Sequence, residues 1–112
     1  MQVSTLGIDL AKNVFQLHGV DQSGRVVLNK RLSRTKLPAF IADLTPCLIG
    51  LEACGGAHYW ARAWSQLGHT VKLISPQFVK PYVKSQKNDY HDAEAICEAV
   101  SRPHMRVVPT RV

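Results

Sequence analysis

Val3-Ser-Thr-Leu-Gly-Ile-Asp-Leu10 decides how the chain is read, because it places one carboxylate, Asp9, in a segment that otherwise has the make-up of a central strand. Alternation along a strand puts Leu6, Ile8 and Leu10 on one face and Val3, Thr5, Gly7 and Asp9 on the other, so Gly7 leaves the space beside Asp9 open. An ionised carboxylate in an apolar sheet is costly unless it is paired, hydrogen-bonded or bound to a metal. No lysine or arginine lies within the strand. Either the rest of the chain supplies a partner, or Asp9 is a strand-end residue that hydrogen-bonds the following turn, Ala11-Lys-Asn13.

Outward from this strand, Val14 to Val20 alternates as a second strand, Asp21-Gln-Ser-Gly24 has turn chemistry, and Arg25 to Leu32 returns as a third. The three read as an antiparallel meander. Ser33 or Thr35 can cap a helix whose stripe is Leu37, Phe40, Ile41 and Leu44, with Pro38 tolerated in the first turn and Thr45-Pro46 ending it. Cys47 to Leu51 is a short apolar run, as expected of a strand buried on both faces, and it delivers Glu52 just before Gly55-Gly56. A second helix carries Ala57, Trp60, Ala61 and Trp64 and stops at Gly68; Val71 to Ile74 is a fifth strand. Ser75 to Asn88 reads as an ordered, irregular loop, and a third helix runs from about Asp89 to Ser101, where Pro103 stops it. Three strands, helix, strand, helix, strand, helix is the order of an α/β ribonuclease H-like fold: a mixed five-stranded sheet, three strands antiparallel and two parallel, with three helices.

The 112 residues form one domain. A net charge of +6 and 14 Lys and Arg against 8 Asp and Glu favour a polyanionic partner, nucleic acid before an anionic membrane surface. The 3 cysteines lack CxxC spacing, which points away from a disulfide framework or zinc ribbon and toward a reducing cytoplasm. With no charged leader and no apolar run near the ~20 residues of a membrane span, a cytoplasmic protein without membrane association is expected.

Glu52 is the second strand acid, and the third helix adds two more. Stepping back by three and four residues from its stripe of Ala93, Ile96 and Val100 reaches Asp92 and Asp89, whereas Glu94 and Glu98 fall on the other side, where Glu98 can pair with Arg102. Asp89 also suits an N-cap and Asp92 a first-turn acid favoured by the helix dipole. If the first and fourth strands are neighbours, Asp9 and Glu52 emerge side by side and the helix lays Asp89 and Asp92 across that end. Four converging carboxylates repel unless divalent cations neutralise them, and all-oxygen ligation selects Mg²⁺, with Mn²⁺ as substitute, over zinc. Two such ions about 4 Å apart serve phosphodiester chemistry.

Gly7 to Phe15, Leu51-Glu-Ala-Cys-Gly-Gly56 and Lys87-Asn-Asp-Tyr-His-Asp-Ala93 resemble, in this order and over essentially the whole chain, the N-terminal domain of the DEDD transposases of bacterial insertion sequences, relatives of the pilin-gene invertases. By that likeness Asp9, Glu52, Asp89 and Asp92 match the four acids that name the family, and serve as catalytic and metal-binding residues. The resemblance implies a domain similar to a Holliday-junction resolvase, Mg²⁺-dependent strand cleavage and transfer, DNA as partner, a guide RNA encoded by the element in some members, and homo-oligomers of the full-length protein. It also implies a C-terminal domain carrying a serine implicated in strand exchange, to which nothing in residues 1–112 corresponds, so that the domain alone is expected to be incompetent. The alternatives are a stand-alone nuclease or resolvase of the same fold and a non-catalytic nucleic-acid-binding module. A sugar-kinase-like ATPase would need a glycine-rich phosphate turn where Ala11-Lys-Asn-Val14 stands.

Lys80, Lys84 and Lys87, with Phe78 and Tyr82, make the acid-free segment 75–88 the phosphate-contact candidate, against the reading of a solvated loop. Trp60 and Trp64 read as core, Cys54 as a small buried residue, and the scattered His18, His58, His69, His91 and His104 as structural or exposed residues and not zinc ligands.

Overall fold

The computed structural model describes residues 2–10, 13–83 and 89–110, with 89–91 described in backbone only. β1 (Thr5–Leu10), β2 (Val14–Val20) and β3 (Val26–Ser33) form the expected antiparallel meander. The turn between β2 and β3 is held by Asp21, whose Oδ1 accepts from the amides of Ser23 and Arg25, and by Gly24 at φ +85°. β4 (Leu48–Glu52) and β5 (Thr70–Ile74) add in parallel, giving the order β3-β2-β1-β4-β5 with β1 at the centre.

α1 (Leu37–Asp43) and α2 (Ala57–Ser65) cover one face of the sheet. Leu37, Ile41, Ala57, Trp60, Ala61 and Trp64 pack there against Leu6, Ile8, Phe15, Leu17, Ile49, Leu51 and Leu73. The two tryptophans stack at 5.3 Å between ring centres, one helical turn apart, and are core as their spacing indicates. Neither candidate cap sits at the start of α1. Its N-cap is Lys36, and Ser33 Oγ instead accepts from the Lys36 amide at 3.3 Å, closing the turn before the helix. Gly68, at φ +97°, ends the α2 connection as its position suggests.

The segment after β5 differs from the expected irregular loop. Ser75 in an extended conformation leads into α3 (Pro76–Val79) and a 3-10 turn (Lys80–Tyr82), so the described residues form four α-helices and not three. Each proline stands in the first turn of its short helix, where its missing N–H costs nothing. α4 (Asp89–Val100) crosses the second face of the sheet, burying Ala93, Ala95, Ile96, Cys97, Ala99 and Val100, and Val79 and Ile74 close this smaller core. Beyond α4, the tail returns along the outer edge of β5, where Val108 N–H donates to Leu73 O at 2.7 Å.

Candidate active site

Two glycines set the site. β1 and β4 are in register with Gly7 opposite Gly50 and Ile8 opposite Leu51, and both glycines face α4. A Cβ on Gly7 would collide with the Ala93 carbonyl oxygen and the Cys97 amide, and one on Gly50 would stand 2.7 Å from Val100 Cβ. The helix therefore lies directly on the strand backbones. Asp9 and Glu52 follow these glycines by two residues, so both project toward the α4 face from the carboxyl ends of neighbouring parallel strands. The chain winds away from this pair in opposite directions, to β2 on one side and β5 on the other, which is the topological switch point where open α/β sheets form their ligand crevice.

The direction of α4 brings in the helical acid. Cys97 Sγ donates to the Thr5 carbonyl at 3.7 Å, while Gly7 lies beneath Ala93 and Cys97. Moving along β1 toward Asp9 thus moves back along α4 toward its first turn, which contains Asp92. Asp9, Glu52 and Asp92 are each half-buried. Asp89 is the first residue of α4, and its side chain lies outside the described residues. Among the described residues, no three His, Cys, Asp or Glu side chains stand close enough to hold one metal ion. What the fold supplies is a strand-end carboxylate pair, with Asp92 in the first turn of the helix that crosses the same face. Such an all-oxygen set fits Mg²⁺, which binds through one or two carboxylates and completes its shell with water and substrate phosphates.

The acids are flanked by a polar row that strand alternation alone hides. Gln16 lies directly opposite Asp9 across β1 and β2, and Arg31 directly opposite Gln16 across β2 and β3. Gln16 is buried, donates from Nε2 to Asn29 Oδ1 at 2.9 Å and accepts from Arg31 Nε at 3.3 Å.

A family model described as "Transposase", that of the IS110-type DEDD transposases, matches residues 6–111. This chain belongs to that family. It is 60% identical over 111 residues to a probable family 20 transposase of Pseudomonas aeruginosa, covering 99% of this chain and 33% of that protein. It is 57% identical over 109 residues to the transposase of insertion sequence IS1328 of Yersinia enterocolitica, covering 97% and 33%. Against the IS1111A transposase of Coxiella burnetii the identity is 49% over 106 residues, covering 95% and 29%. The chain spans about a third of the length of the curated relatives it matches.

In this transposase domain the other candidates distribute as follows. Lys80 is exposed at the start of the 3-10 turn, whereas Lys84 and Lys87 lie outside the described residues. Phe78 and Tyr82 are half-buried against the α4 core, and Arg102 covers the Tyr82 ring at 5.2 Å. Cys54 is exposed, not buried, because β4 ends at Glu52 and the following turn carries it to the surface, where it lines a cleft of about 230 Å³ with His58 and Val108. His69 is a satisfied core residue: the Cys47 amide donates to Nδ1 at 3.1 Å, so Nε2 carries the proton and donates to Ile41 O at 3.0 Å. Burial, with Glu98 and Glu94 nearby, pushes the Cys97 thiol up to about 12. Among the described residues, no helix is long and apolar enough to cross a membrane.

Proposed function

We propose that this domain provides the carboxylate centre of a Mg²⁺-dependent DNA transposase, cleaving and transferring phosphodiester strands. The observation that carries the reading is the placement of Asp9 and Glu52 at the ends of neighbouring parallel strands, on the face where α4 brings Asp92. DNA is the substrate, an RNA from the same element is the candidate guide, the longer proteins work as homo-oligomers, and the setting is the cytoplasm.

Asp9 and Glu52 would hold the cation, with Asp92 and Asp89 completing the anionic wall. When bound, the divalent ion polarises the scissile phosphate and lowers the cost of forming the attacking oxyanion. The protein holds the two strand-end carboxylates on β-ladder backbone, so they are fixed before substrate arrives. α4, seated on Gly7 and Gly50, positions its first-turn acid relative to the strands.

The test is a thermal melt of the 112-residue chain with and without Mn²⁺. At a hundredfold excess over Kd the gain is about 2.7 kcal/mol, or roughly 10 °C for a domain of this size. An Asp9→Asn, Glu52→Gln double variant that still folds should lose the shift. No shift in the wild type, or the same shift in the double variant, sinks the reading.

A further inference from the structure

Residues 22–42 carry Arg25, Lys30, Arg31, Arg34 and Lys36 and no acid. The structure separates these five cations. Lys30 stands over the Phe40 ring at 4.8 Å, and Arg34 stands over Phe15 and Trp60 at 5.8 and 5.6 Å, all on the face covered by α1 and α2. Arg25 lies at the far end of the β2–β3 hairpin from Asp9, and Lys36 precedes α1. Arg31 alone of the five is on β3 in the same cross-strand row as Asp9.

We propose that Arg31, oriented by Gln16, is a phosphate-binding residue that grips the nucleic-acid backbone beside the carboxylates. The proposal rests on the reading of Asp9 and Glu52 as the phosphodiester site. Strands spaced about 4.8 Å apart put the Asp9 and Arg31 backbones about 10 Å apart, so a strand crossing the acids passes within reach of the guanidinium. Arg31 is exposed, yet its Nε–H is fixed on Gln16 Oε1, and Gln16 is itself fixed through Nε2 on Asn29. A buried amide with both ends engaged is a rigid hook, and it reduces the rotamer freedom an exposed arginine would otherwise lose on binding. The Nη groups form the fork that matches a phosphate in two parallel hydrogen bonds. A positive group on this side also draws the backbone toward a site whose own side chains are acidic, where a phosphate would otherwise be repelled.

The experiment measures binding of the 112-residue chain to a 20-base-pair duplex of random sequence across a salt series. Arg31→Ala should weaken binding by about three- to tenfold and lower the slope of log affinity against log salt by about 0.9, one phosphate contact. Arg25→Ala, the same change in charge at the other end of the hairpin, should leave the slope within error. Gln16→Leu keeps the charge and the approximate volume but removes the hook, so affinity falls while the slope is kept. Arg31→Lys, which preserves the surface, should keep the slope and lose the bidentate affinity, and it serves if the alanine variant does not fold. A wild-type slope in Arg31→Ala, wild-type affinity in Gln16→Leu, or no duplex binding by the wild type overturns the proposal. Each of these results is independent of the Mn²⁺ melt, which judges the carboxylate centre separately.

Discussion

Gly7 and Gly50 lie opposite one another across β1 and β4, and α4 rests on both, but on Gly7 it rests with its backbone and on Gly50 with the Val100 side chain. The two positions therefore respond differently to one added methyl group. Gly50→Ala meets Val100 Cβ at 2.7 Å, overpacking that costs about 1–3 kcal/mol, and shortening the partner in Gly50→Ala, Val100→Ala should recover part of it. Gly7→Ala meets the Ala93 carbonyl and the Cys97 amide, which no side-chain truncation on α4 can move. Urea melts of the three variants check this, with Gly7→Ala the least stable.

His69 joins the α1 end to the start of β4, so its loss should be felt as an orphaned core amide. His69→Ala leaves the Cys47 N–H without its acceptor and opens a cavity, for a cost of roughly 2–4 kcal/mol. The Ile41 carbonyl keeps its bond from Leu44, so the amide is the main loss. His69→Gln can offer an oxygen to the same N–H and should recover part of the stability in the same melt.

Much of this arrangement was legible from residues alone. Alternation in Val3–Leu10 and Val14–Val20 placed the meander, and the continuous apolar run before Glu52 placed a central parallel strand beside β1. Asp9 and Glu52 were legible because an acid closing an apolar strand breaks the pattern. The Gln16 and Arg31 row was not, since polar residues alternating with Phe15, Leu17 and Leu32 read as an ordinary solvent face, whereas Gln16 is buried and bonded to Asn29 and Arg31. α3 and the 3-10 turn are too short to show a helical period, and their prolines read as breakers when they in fact occupy first turns. Cys54, without a His partner in the sequence, reads as a small buried residue, but the turn between Glu52 and Ala57 carries it outward.

The cysteines should separate by reactivity. Burial pushes Cys47 up to about 11, and Cys97, on the sheet-facing side of α4 beside Glu98, up to about 12, so neither offers thiolate at neutral pH. In the native protein an alkylating reagent should label Cys54 alone, and all three only after denaturation. Mass spectrometry of the labelled chain decides it, and rapid native labelling of Cys97 would mean that α4 opens readily.

The same shifts set an alkaline limit. A thiol whose folded value lies above its unfolded one stays protonated in the fold while the unfolded chain ionises, so the unfolded state binds fewer protons and stability falls as pH rises. The stabilisation is fully present below 9.0, the unfolded value, and is lost between there and about 12 for Cys97. Melting temperature should decline through that window, and Cys97→Ala should flatten part of the decline. A slope unchanged by that substitution would place the alkaline sensitivity elsewhere.

Asp92 offers the sharpest separation between chemistry and fold. It is half-buried in the first turn of α4, one residue before Ala93, whose carbonyl covers Gly7. Asp92→Asn keeps the shape of the side chain and removes the charge, so the melting temperature without metal should change little. In a longer transposase carrying this domain, recombination should fall by at least roughly 10²–10³, the scale of removing one preorganised electrostatic partner of a reacting oxygen. The 112-residue domain by itself should not recombine DNA at all. Holding two reacting strands in line is worth roughly 7–11 kcal/mol of barrier, and this domain brings one row of acids and a narrow set of cations to that task. A single assay on the same DNA, comparing the longer protein, its Asp92→Asn variant and the domain alone, tests both statements. Activity retained in the variant would remove Asp92 from the chemistry, and recombination by the domain alone would show that positioning needs no more surface than β1, β3, β4 and α4 provide.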